Sequence, residues 1–120
     1  MGLDMYANVT TKTPDQPFGF DDETAERIHY WRKHPNLHGW MENLYFEKGG
    51  TELFNCISLV LTAADLDRLE ADIRANTYPE TTGFFFGTSD GSEAEDDLAF
   101  IEKARAAIAE GKTVFYDSWW

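Results

Sequence analysis

Leu3, Met5, Ala7 and Val9 alternate with Asp4, Tyr6, Asn8 and Thr10, the period-two pattern of a strand with one buried face. Residues 11–23 break that pattern with Pro14, Pro17, Gly19 and the acidic run Asp21-Asp22-Glu23, a composition that predicts a surface loop. Alternation resumes where Ile28, Tyr30 and Arg32 face away from His29, Trp31 and Lys33, so a second strand is expected over 26–33, in competition with a helix begun at Thr24. Pro35 then stands where a first helical residue belongs. Leu37, Trp40, Met41, Leu44 and Tyr45 follow at helical spacing and predict a helix that stops before Gly49-Gly50.

The run from Leu53 to Leu61 is apolar on both faces and reads as a central strand. Thr62-Ala63-Ala64-Asp65 has the form of a capping box with Asp in place of the usual Glu, and Leu66, Leu69 and Ile73 mark the buried stripe of a second helix ending near Asn76. Gly83-Phe84-Phe85-Phe86-Gly87 is long enough for a strand and too short for a helix. Ser92-Glu93-Ala94-Glu95 forms a full capping box, and Leu98, Ile101, Ala104, Arg105 and Ile108 carry a third helix to Gly111. Thr113 to Trp120 alternates again as a terminal strand. The order β-β-α-β-α-β-α-β predicts a single α+β domain over 1–120, with a mixed sheet of about five strands and about three helices.

Charge narrows the classes of partner. Ten basic against 22 acidic residues leave a net charge of −12 over 120 residues, and the second half of the chain is the more acidic. Such a field repels nucleic acid, which needs phosphates neutralised by Lys and Arg, so direct nucleic-acid binding is not expected. It attracts basic protein surfaces, or serves solubility alone. No basic-then-apolar leader opens the chain and no run of 18 apolar residues interrupts it, so neither secretion nor membrane insertion is expected. Cys56 is the single cysteine, which excludes an internal disulfide and suits a cytoplasmic location; its place in an apolar run predicts an inert buried thiol.

Few residues stand out as chemistry. His34 and His38 have the four-residue spacing that lets two imidazoles share a metal, but His34 precedes Pro35 and leaves helical geometry, so no metal site and no cofactor are expected. Both read as ordinary, partly exposed histidines. His38 is the one candidate for acid–base catalysis, with a surface pair to Glu42 as the competing account. Arg32 and Lys33, between Tyr30-Trp31 and the helix start at Pro35, have the parts of an anion site, or pair with some of the many carboxylates. Gly83 to Gly87 lacks the lysine and spacing of a phosphate loop and reads as core or cleft wall. Asp90, Glu93, Glu95, Asp96 and Asp97 open the third helix, where they complement its dipole or act as a DNA-like acidic array. Of Trp119 and Trp120, alternation buries one and leaves the other for an interface.

Met1-Gly2-Leu3-Asp4-Met5-Tyr6, Tyr30-Trp31-Arg32-Lys33 with Asn36-Leu37-His38 and Trp40, Gly83 to Gly87, and Tyr116-Asp117-Ser118-Trp119 together resemble a family of short bacterial and bacteriophage proteins of uncharacterised activity. Members are sometimes labelled phosphoglycerate kinase. A chain of 120 residues with no phosphate-cradling loop cannot supply the two large domains such a kinase closes over its substrates. The resemblance points to Asp4, Tyr6, Arg32, His38, Asp117 and Trp119 as residues of a shared cleft. The expected function is a small non-enzymatic binding protein, an acidic inhibitor or DNA mimic that captures a protein partner. The alternative is a protein holding a small anionic ligand, or a small enzyme, with Tyr6, Tyr30, Arg32, Lys33, His38, Asp117 and Trp119 around an aromatic-lined pocket.

Overall fold

The computed structural model describes residues 2–20, 23–79 and 93–120. In chain order these form β1 (Asp4–Thr10), β2 (Glu26–Arg32), α1 (Pro35–Glu47), β3 (Leu59–Leu61), α2 (Ala63–Ala75), α3 (Ala94–Ala109) and β4 (Thr113–Trp119). The architecture is α+β, with three helices against a four-stranded sheet of order β2-β1-β4-β3 among the described residues. Every pairing is antiparallel, which corrects the expected mixed sheet. Periodicity fixes which residues share a face but carries no information on strand direction, and here the first and last strands meet in the middle. The strand expected over 83–87 lies outside the described residues, as does the Ser92 cap; α3 starts at Ala94 behind Glu93, whose side chain makes no capping bond.

Alternation assigns the two sheet faces directly. Leu3, Met5, Ala7 and Val9 are buried together with Val114, Tyr116, Leu59, Leu61 and Trp31, and the helices cover that face. Its aromatic centre is Phe54, stacked against Tyr45 at 5.0 Å, His38 at 5.2 Å and Tyr116 at 5.9 Å. Offset stacking of this kind adds about 0.5–1.5 kcal/mol per pair beyond the area buried.

Helix ends follow the local sequence where side chains can supply the bonds. Thr62 accepts from the Asp65 backbone N–H, and the Asp65 carboxylate accepts from the Thr62 N–H and from Lys48, so the capping box forms with Asp in the role of Glu. Burial by itself raises the Asp65 carboxyl, but the Lys48 ammonium and the Thr62 bonds outweigh it and hold the group below its ordinary range. Gly50 closes the turn after α1, where its N–H donates to the Tyr45 carbonyl and a Cβ would overlap the buried Tyr45 ring. Gly50→Ala should therefore destabilise by about 1–3 kcal/mol through overpacking, read as a lower urea midpoint with an unchanged slope.

The apolar run over 53–61 is not a central strand. Cys56 takes a positive φ of 59° and interrupts the extended backbone, leaving three residues of β3 at the sheet edge. Phe54 turns into the core while Cys56 is exposed, which corrects the expectation of a buried thiol. Partial burial and then the nearby Asp117 carboxylate push that thiol up, away from reactivity. The outer edge of β3 is covered by 17–19: Val60 N–H donates to the Pro17 carbonyl and Gly19 N–H to that of Ser58.

Candidate functional site

Among the described residues, no helix covers the second face of the sheet. Antiparallel pairing sets residues side by side across it: Trp119, Asp4 and Arg32 form one row, Asp117, Tyr6 and Tyr30 the next, and Phe115, Asn8 and Arg27 the third. A bulge between Ala7 and Asn8 moves Arg27, in place of Ile28, onto this face. The Tyr30 hydroxyl donates to Asp4 at 2.6 Å, and Arg32 lies 3.8 Å from the same carboxylate. The Arg27 guanidinium stacks 4.4 Å above the Tyr6 ring. Tyr30 and Trp119 are 44% and 66% exposed. Trp120, the alternate residue, is half-buried and donates its indole N–H to the Phe54 carbonyl.

At one end Phe20 lies over this face. Phe20 packs edge-on against Phe115 at 5.0 Å, and its backbone is tied to Ser58 Oγ by two bonds. Beside Phe20 lies a cavity of about 350 Å3 whose described lining is Asn8, Phe20, Glu23, Ala25, Ser58, Phe115 and Asp117. None of these lining residues is basic. A second hollow of about 280 Å3 lies against Gly2, Asp4, Trp119 and Trp120.

Of the residues singled out in the sequence, Tyr6, Tyr30, Arg32, Asp117 and Trp119 thus share one face. Lys33 follows β2 with a φ of 55°, and its side chain runs beside Arg32 past Gly2. His38 does not join them. It is 1% exposed on the opposite, helix-covered side, where Nδ1 and the Tyr116 hydroxyl share a hydrogen bond of 2.7 Å. The expected surface pair with Glu42 is replaced by this core contact. Burial pulls the His38 imidazole down from 6.5 to about 4, so it is neutral at pH 7, and burial pushes the Tyr116 phenol well up.

His34 is also buried, at 2%, which corrects the expectation of a partly exposed residue. Its Nε2 meets the Asp97 carboxylate at 2.8 Å; Trp31 donates to the same carboxylate at 2.9 Å, and the Tyr78 hydroxyl donates to it as well. Asp97 has no exposed surface. Burial, and then that carboxylate, push the Tyr78 phenol far up. The adjacent Asp96 meets His29 Nε2 at 3.0 Å, with Lys103 3.1 Å from the other ring nitrogen. Two members of the acidic run that opens α3 therefore bind β2 and the start of α1. The sequence marked Asp97 as a dipole-complementing residue, and only its position within a helix stripe hinted at burial.

Among the described residues no group of three or more His, Cys, Asp or Glu is placed to hold a metal ion, and no helix is long and apolar enough to cross a membrane. Comparison with protein-family models, with curated proteins and with solved structures finds no match.

Proposed function

We propose that the chain is a non-enzymatic protein-binding protein whose contact surface is the helix-free face of the sheet. The observation that carries this reading is the exposure of Trp119 and Tyr30 beside Tyr6, Arg27 and Arg32 on that one face. Trp, Tyr and Arg are the residues that most often dominate binding energy at protein interfaces, because they bring large rigid area together with a polar handle. The polar groups around them are held in place within the chain, Asp4 by Tyr30 and Arg32, and Arg27 by Tyr6, which lowers the entropy lost on association.

The layout favours this face over an acidic, DNA-like array. On α2 and α3, Asp65, Asp67, Glu70, Asp72, Asp96 and Asp97 each take a partner within the fold. The small-anion alternative has less support. Arg32 is already beside Asp4, and His38 lies across the sheet from it. The resemblance to short bacterial and bacteriophage proteins accords with a small acidic inhibitor of a host protein.

Capture of partners from bacterial lysate on immobilised protein tests the reading. Trp119→Ala and Tyr30→Ala should each reduce retention of a bound protein by about tenfold or more, while Glu102→Gln on the helical side leaves it unchanged. Equal retention by all three variants would rule the face out.

A further inference from the structure

The cavity beside Phe20 has a chemistry distinct from the rest of the face. Two acidic residues, Glu23 and Asp117, line it together with Asn8, and Phe20 and Phe115 stand at its wall in edge-to-face contact. Its volume of about 350 Å3 falls at the lower end of the roughly 300–1,000 Å3 typical of ligand sites. We propose that this cavity receives a cationic side chain, lysine or arginine, from the protein partner, an inference that rests on the reading of the helix-free face as the contact surface.

Three features select that occupant. Two acidic residues with no basic residue among the described lining place negative potential where a guanidinium or ammonium gains charge-assisted hydrogen bonds. Aromatic walls add attraction to a cation without asking for a second polar partner. The net charge of −12 draws basic surfaces toward the chain and repels acidic ones, so the long-range field and the cavity favour the same kind of partner. The neighbouring row, Asp117-Tyr6-Tyr30, continues from the cavity onto the open face. A bound segment can therefore anchor one basic side chain and lay apolar residues on Tyr30 and Trp119.

The test is a titration of the full chain, followed by backbone amide resonances at about 150 mM salt, where surface charges more than a Debye length of about 8 Å apart are largely screened. The probes are N-acetyl-arginine amide, N-acetyl-lysine amide and the uncharged N-acetyl-norleucine amide. The two cationic probes should shift Asn8, Ser58, Phe115 and Asp117, and norleucine should leave them in place. Asp117→Asn and Glu23→Gln should each weaken the cationic probes by about tenfold. Glu95→Gln combined with Glu102→Gln, which removes two charges outside the cavity, should change affinity less than twofold.

Shifts scattered over the surface, or equal weakening by charge removal anywhere, would overturn the proposal in favour of diffuse attraction. Absence of shifts would overturn it as well. Trp119 and Tyr30 do not line the cavity, so the two readings fail separately. Capture that depends on Trp119 with no cationic probe bound would sink the cavity assignment alone. Probe binding with capture indifferent to Trp119 would remove the partner and with it this proposal, leaving a site for small free cations.

Discussion

Asp97→Ala should cost about 3–5 kcal/mol of folding stability, a large part of the roughly 5–15 kcal/mol that holds a domain of this kind together. The carboxylate is fully buried and accepts from Trp31, His34 and Tyr78, which come from β2, the junction before α1, and the segment after α2. Truncation takes the acceptor from two buried donors and the half-buried Tyr78 hydroxyl, each buried donor worth about 1–3 kcal/mol, and opens a void besides. Asp97→Asn should cost less, because the amide oxygen can still accept from His34 and Tyr78 while the amide nitrogen opposes the Trp31 N–H. The check is urea denaturation of the three proteins at pH 7, with Trp fluorescence reporting the Trp31 environment. An Asp97→Ala midpoint within about 0.5 kcal/mol of the parent would show that the network contributes little, contrary to the geometry.

Acid should weaken the fold well before most carboxylates titrate. The His38 imidazole falls from 6.5 in the unfolded chain to about 4 in the core because burial penalises its charged form. Between those values the unfolded chain binds a proton that the native chain does not. Stability therefore rises with pH across this window and falls as pH drops from about 6.5 toward 4, by about 3 kcal/mol in total. Below pH 4 a separate loss sets in as the Asp65 carboxylate, depressed in the native state, is protonated and gives up Lys48 and the Thr62 cap. Denaturant midpoints measured from pH 7 to pH 2 should show both slopes in the parent. His38→Gln should flatten the first while leaving the second. A parent curve already flat above pH 4 would contradict the assignment.

Local patterns were readable because each depends on neighbours in sequence. The alternation of β1 and β4, the α1 stripe behind Pro35 and the Thr62 capping box are set by residues within one or two turns of one another. Reading Leu53 to Leu61 as a central strand went astray for a reason of the same kind: an apolar run on both faces fits a buried strand and an irregular segment that seats Phe54 in the core equally well. Nothing in the run itself marks the left-handed turn at Cys56.

The two histidines show what local reading misses. His34 and His38 are four residues apart at the start of one helix, yet one meets Asp97, 63 residues away, and the other meets Tyr116, 78 residues away. Polar residues on a helix stripe are ambiguous until a partner from another element satisfies them, since an unpaired buried polar group costs several times what a paired one does.

The sequence by itself determined the α+β class, the alternation that separates core from open face, and a charge that disfavours nucleic acid. It also singled out Tyr6, Tyr30, Arg32, Asp117 and Trp119. Only the tertiary structure decided that these five share one sheet face, that His38 lies on the other side, and that Glu23 and Asp117 line one cavity. The physical reason is that face membership within a strand follows from a period of two, whereas the neighbours on that face depend on strand order, direction and register. Those are settled by contacts between residues far apart in the chain.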